Sequence, residues 1–75
     1  MDINERIYFN NLLNYKPRGV KKIPYQETQE DIYSFACKIR SIAKDALSEE
    51  ISVKKAKKEI SDLLENIKEL KKGGK

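Results

Sequence analysis

The residues that most often carry out chemistry in proteins are scarce in this chain of 75 residues. Histidine, the commonest general base and metal ligand, does not occur in the sequence. Cys37 is the only cysteine, so it can form neither an internal disulfide nor a zinc site, and it lacks the usual activating base of a thiol enzyme. Because Cys37 follows the apolar position Ala36 in a helical pattern, we expect a half-buried structural thiol.

The carboxylates occur in adjacent pairs, such as Glu30-Asp31 and Glu49-Glu50. General acid–base catalysis needs two such groups facing each other in a concave, partly dry site, and three short helices offer little room for one. We expect these pairs to be helix-terminal charges and solvated surface. The three glycines form no phosphate-binding loop pattern. The sequence therefore predicts a protein without enzymatic activity, cofactor or metal.

Positive charge is concentrated in two parts of the chain. The formal net charge is +4, and residues 16–25 and residues 51–75 each carry +4, whereas residues 1–15 carry −1 and residues 26–50 carry −3. Such segments favour anionic partners, either nucleic acid or an acidic protein surface.

The first basic segment combines cations with aromatic residues. Its members are Lys16, Arg18, Lys21 and Lys22, bracketed by Tyr15 and Tyr25. Cations of this kind can follow a phosphate backbone while the rings stack on unpaired bases. The same composition also fits docking on an acidic protein groove, or a solvated linker.

The second basic segment lies in the first turns of the last predicted helix and comprises Lys54, Lys55, Lys57 and Lys58. Cations there face the positive end of the helix dipole, which favours acidic residues. A local rule broken in this way can mark a functional site, here a phosphate contact. The alternative is that Glu49, Glu50 and Glu59 neutralise an ordinary lysine-rich surface.

The N-terminal segment carries more apolar side chains than one core-facing stripe needs. Candidate protein contacts are Ile7, Tyr8, Phe9, Leu12, Tyr15 and Tyr25. They could dock in a groove of a larger protein, close a homodimer, or pack in the core of this chain.

Three helical patterns position these residues. Residues 2–14 predict a short helix with Asp2 as N-cap, Glu5 at the capping-box position and Asn14 at its end. Residues 15–27 contain two prolines and a glycine and predict an irregular basic loop. Residues 28–48, with Thr28 as N-cap, and residues 53–72, with Ser52 as N-cap, carry long apolar stripes.

The predicted fold is all-α: an antiparallel helical hairpin of residues 28–48 and 53–72 plus the N-terminal helix, in one domain of residues 1–75 that resembles a three-helix bundle. A single unbroken helix over residues 28–72 is the alternative. Residues 73–75 are expected to fray. The predicted core is Ile7, Leu12, Leu13, Ile32, Phe35, Ala36, Ile39, Ile42, Ala43, Ala46, Leu47, Val53, Ile60, Leu63, Leu64 and Ile67.

We expect a small accessory subunit that binds a larger protein, such as a polymerase or another nucleic-acid-processing enzyme, while the basic residues contact the phosphates of DNA or RNA. The alternative is a purely protein-binding adaptor, inhibitor or phage-type regulator. A stand-alone DNA-binding repressor is a weaker hypothesis, because no recognition helix with base-reading side chains is evident. With no apolar run of about 18 residues and no signal peptide, we expect a cytoplasmic protein without membrane contact.

Overall fold

The computed structural model describes residues 1–73, and the described chain is all-helical. Helix α1 spans Ile3–Leu12, a short 3₁₀ helix spans Val20–Lys22, α2 spans Gln26–Leu47 and α3 spans Val53–Gly73. Helix α2 packs against both α1 and α3. The predicted all-α, three-helix arrangement is therefore confirmed.

Local signals in the sequence explain where α1 and α3 begin. The Asp2 carboxylate accepts a hydrogen bond from the backbone N–H of Glu5 at 2.8 Å, and the backbone N–H of Asp2 donates to the Glu5 carboxylate at 3.2 Å. This is the predicted capping box. The Ser52 hydroxyl likewise accepts from the N–H of Lys55, as expected of the α3 N-cap.

Other predicted boundaries differ from those of the structure by one to three residues. Helix α1 stops at Leu12 rather than Asn14. Helix α2 starts at Gln26, so Tyr25 occupies the N-cap position and makes no side-chain capping bond there. Thr28 lies inside the helix because Gln26 and Glu27 are good helix formers, and water can satisfy the exposed first-turn amides. Helix α3 extends to Gly73; the predicted fraying of residues 73–75 stays a prediction, since residues 74–75 lie outside the described residues.

The connection between α2 and α3 decides between a hairpin and one long helix. After Leu47 the chain turns through Glu49, whose φ of 60° lies in the left-handed region. The N–H of Glu50 then bonds back to the carbonyl of Asp45 at 2.9 Å, which is the long bond of a Schellman-type helix end. The chain reverses here, and α3 packs along α2.

The core lies between the three helices and includes part of the loop. The predicted core residues that are almost completely buried are Leu12, Ile32, Ala36, Ile39, Ala43, Ala46, Ile60 and Ile67. Those that are half-buried against them are Leu13, Phe35, Ile42, Leu47, Val53, Leu63 and Leu64. Sequence reasoning omitted Phe9, Val20, Ile23 and Ala56 from this core, although all four are buried.

Ile7 was predicted in the core, but it is 53% exposed. The reason is geometric. Phe9 follows Ile7 by two residues, which is about 200° around a helix, so the two side chains lie on opposite sides of α1. Phe9 is fully buried, so the neighbouring elements cover its side of the helix and leave the side of Ile7 facing outwards.

Candidate binding surfaces

Cys37, the only cysteine of the sequence, lies on the surface of α2. Cys37 is exposed rather than half-buried as predicted, because it lies about 100° around α2 from the buried Ala36. The Arg40 guanidinium donates a hydrogen bond to the Sγ atom of Cys37 at 3.0 Å. Within residues 1–73, no three histidine, cysteine, aspartate or glutamate side chains converge on a point that could hold a metal ion.

The basic loop is ordered by contacts on both its side chains and its backbone. Val20 and Ile23 are buried in the core beside the helices. Arg40 donates a hydrogen bond to the carbonyl of Tyr15 at 2.8 Å, and Gln29 donates to the carbonyl of Ile23. Each end of the loop is thus tied to α2, so the segment is a folded part of the domain rather than a free linker.

Gly19 allows the loop to turn between these anchors. Its φ of 74° lies in the left-handed region, where a side chain would be strained, and it immediately precedes the 3₁₀ helix. The turn lets Val20 enter the core while the flanking cations face solvent.

The four cations of the loop, Lys16, Arg18, Lys21 and Lys22, are all exposed. Among residues 1–73, none of them lies within ion-pair distance of a carboxylate. Their charges therefore remain available to an external anion, at positions set by the anchored backbone.

The two tyrosines that bracket the loop differ in exposure. Tyr25 is 52% exposed and could stack on a base or a protein surface. Tyr15 packs partly against the core, and burial raises the pKa of its phenol above the usual value of 10.0. Only one of the two predicted stacking rings is therefore largely free.

The four lysines of α3 are all exposed and lie within an arc of about 160°, on the side of the helix opposite the buried Ala56. Lys54 and Lys58 are four residues apart and lie together, whereas Lys55 and Lys57 lie about 100° and 60° away from Lys54 in opposite directions. Lys57 forms an ion pair with Glu5 of α1 at 3.2 Å. The predicted second basic segment therefore lies on one broad outward side of α3, with Lys57 paired to Glu5.

The ion pair identifies the side of α3 that faces α1, and helical spacing extends that side along the helix. Lys68 and Lys71 follow Lys57 by 11 and 14 residues, close to whole numbers of turns. The C-terminal half of α3 lies beside the N-terminal half of α2, since Thr28 and Leu70 line one depression. The loop lies beside that same half of α2 through Gln29. Lys68 and Lys71 therefore lie at the same end of the hairpin as Ile23, the second anchor point of the loop.

The outer side of α1, formed by Ile3 and Ile7, is the most exposed apolar surface of the helices. Ile3 is 73% exposed, and Ile7 lies one turn further along. Tyr8 is partly exposed beside them and meets the Phe9 ring edge-on, with centroids 5.1 Å apart. Phe9 and Leu12, which were predicted as partner contacts, lie inside the core. The candidate protein contacts on α1 are thus Ile3, Ile7 and Tyr8.

None of the helices within residues 1–73 combines the length and the apolar character needed to cross a membrane.

Comparison with protein-family models, with curated proteins and with solved structures found no match for this chain.

Proposed function

We propose that this protein is a non-catalytic accessory subunit that docks on a larger protein through the outer side of α1 and presents its loop cations to the phosphates of a nucleic acid. On a larger partner that processes nucleic acid, such as a polymerase, the outer side of α1 would contact the protein while the loop cations contact the nucleic acid. The observation that carries the proposal is the anchored basic loop: four exposed cations on a backbone tied to α2 at Tyr15 and Ile23.

An anchored loop supports binding better than a free linker would. Ordering a flexible segment on binding costs conformational entropy, on the order of 1–2 kcal/mol per residue for the backbone. Here the buried Val20 and Ile23 have already ordered the segment on folding. Phosphate oxygens can then meet cations whose backbone positions do not change.

The docking part of the proposal rests on Ile3 and Ile7. A partner that buries these side chains would gain about 25 cal/mol of free energy for each Å² of apolar surface removed from water. Two isoleucines one helical turn apart suit the helix-in-groove mode, in which residues at positions i and i+4 enter one groove.

Salt dependence tests the phosphate contacts. For single-stranded DNA or RNA, the log of the affinity should fall against the log of the salt concentration with a slope of about 0.7 per contacted phosphate, or about 3 if all four cations engage. Changing Lys16, Arg18, Lys21 and Lys22 to glutamine should remove most of that slope. The matched control changes Lys54, Lys55, Lys57 and Lys58 to glutamine, which alters the net charge equally. Equal losses in the two variants would mean that net charge alone attracts the nucleic acid.

A purely protein-binding adaptor is the second candidate, and the partial burial of Tyr15 favours it, because that ring is not free to stack on a base. In that case the chain shows no affinity for DNA or RNA even at low salt. Recovery of the native partner would still depend on Ile3 and Ile7. Replacing both with serine should abolish recovery, whereas replacing Tyr33, an exposed apolar residue of α2, should leave it unchanged.

A further inference from the structure

The side of the α2–α3 hairpin that faces away from α1 and the loop carries a shallow apolar groove. One depression lies between Phe35 and Leu70, and a second lies between Ile42 and Leu63. These four half-buried side chains form the hairpin groove. Because Phe35 and Ile42, like Leu63 and Leu70, are seven residues apart, the two depressions follow each other along the same side of the hairpin.

Neither α1 nor the loop covers this groove. The loop is bonded to Arg40, which lies about 140° around α2 from Phe35. Helix α1 is paired with Lys57, which lies about 120° around α3 from Leu63. Within residues 1–73, both elements therefore pack on the other side of the hairpin.

The rim of the hairpin groove is acidic. Glu59, Asp62 and Glu69 line it from α3, and Lys38 lines it from α2 with its ammonium 5.6 Å from the centre of the Phe35 ring. The same two rows continue to Asp31 and Asp45, seven residues either side of Lys38, and to Lys55, one turn before Glu59. The rim as a whole has five carboxylates and two lysines, a net charge of −3, on a chain whose net charge is +4.

We propose that the hairpin groove binds a basic amphipathic helix of another protein. The apolar side of that helix would cover Phe35, Ile42, Leu63 and Leu70, and lysine or arginine side chains would extend over its edges to the carboxylates of the rim. A second copy of this chain is disfavoured as the occupant, because two hairpin grooves facing each other would bring like charges together. This surface is separate from the outer side of α1 and from the loop, so the inference does not depend on the proposed function.

The length of the groove sets the length of the probe. From Thr28 to Ile42, α2 rises about 21 Å at 1.5 Å per residue, which matches a helix of about four turns. The probe is a synthetic amphipathic peptide of about 15 residues with leucines on one side and lysines on the other. A second peptide has the same leucines but glutamates in place of the lysines, and a third keeps the lysines but has serines in place of the leucines.

Titration of the isotope-labelled full chain with each peptide, followed by NMR, measures both affinity and location. We expect the lysine–leucine peptide to shift backbone amides of α2 and α3 along the hairpin groove, and to bind at least about ten times more tightly than either of the other peptides. Amide shifts confined to α1 or the loop, or equal affinities for the lysine and glutamate peptides, would overturn the proposal.

Variants of the rim separate local charge from overall charge. Changing Glu59 and Glu69 to glutamine and Asp62 to asparagine should weaken the lysine–leucine peptide about tenfold or more. The control changes Glu30, Glu49 and Glu50 to glutamine, which alters the net charge equally but leaves the rim intact, and it should change the affinity less than twofold. Circular dichroism confirms that both variants remain helical. Equal weakening in both, or dimerisation of the unliganded chain through the groove in sedimentation experiments, would contradict a basic helix as the occupant.

Discussion

Truncating Phe9 should destabilise the protein far more than truncating Ile7, although the two residues are only two positions apart in α1. Phe9 has no exposed surface, whereas Ile7 is 53% exposed on the other side of the same helix. Replacing a buried phenylalanine with alanine removes its burial energy and leaves a cavity, which together cost about 3–5 kcal/mol. Replacing an exposed isoleucine with alanine changes stability by about 0.5 kcal/mol or less, and alanine's higher helix propensity acts in the stabilising direction.

The free-energy cost expected for Phe9→Ala is large compared with the total stability of a domain of this size. At about 0.05–0.15 kcal/mol per residue, 75 residues give a total stability of about 4–11 kcal/mol. Each kcal/mol shifts the Tm of a domain of this size by about 4–8 °C. Phe9→Ala should therefore lower the Tm by about 12 °C or more, or leave the chain largely unfolded, while Ile7→Ala should shift it by no more than about 4 °C.

Urea and thermal denaturation followed by circular dichroism at 222 nm measure both effects. Partner recovery provides the complementary readout, because Ile7→Ala should weaken docking while the fold stays intact. A cost below about 1 kcal/mol for Phe9→Ala would refute the packing of α1 described above. A cost above about 2 kcal/mol for Ile7→Ala would refute its outward orientation.

Three further outcomes are expected. Arg40→Met should remove the hydrogen bond to the Tyr15 carbonyl and destabilise the fold by about 1–2 kcal/mol, with faster amide exchange in the loop; unchanged exchange there would contradict the anchoring role of Arg40. Glu49→Gly should stabilise the chain by about 0.5–1 kcal/mol in urea melts, because glycine adopts positive φ without strain; a destabilised variant would argue against the left-handed turn. Since burial raises the pKa of Tyr15 above 10.0, the folded state retains the phenol proton longer than the unfolded state, so this contribution is complete below pH 10 and is lost as pH rises further. Urea melts between pH 8 and pH 11 should therefore show a steeper alkaline loss in the native chain than in Tyr15→Phe, and parallel curves would contradict the shift.

Local patterns were sufficient to predict the three α-helices of this protein, although not the short 3₁₀ helix of the loop. The apolar stripe from Ile32 to Leu47 and the spacing from Val53 to Leu70 predicted α2 and α3, because helical periodicity is a property of neighbouring residues. The capping residues Asp2 and Ser52 were likewise recognisable, since an N-cap bonds within its own first turn. The hairpin itself was left open beside one long helix, because the turn depends on Glu49 adopting a positive φ, which its residue type does not favour.

Tertiary packing determined which residues lie on the surface and which lie in the core. In the sequence, Ile7 and Phe9 are equally apolar, and only contact with the rest of the fold determined which one is buried. Val20 and Ile23 lie among prolines and lysines without a periodic pattern, so their burial against the helices could not be derived from spacing. The same holds for the basic loop: its cations follow no periodic pattern, and their place beside α2 depends on the bonds that Gln29 and Arg40 donate to the carbonyls of Ile23 and Tyr15. Periodicity reports which side of a helix is apolar, but which neighbour covers that side depends on contacts between residues far apart in the chain.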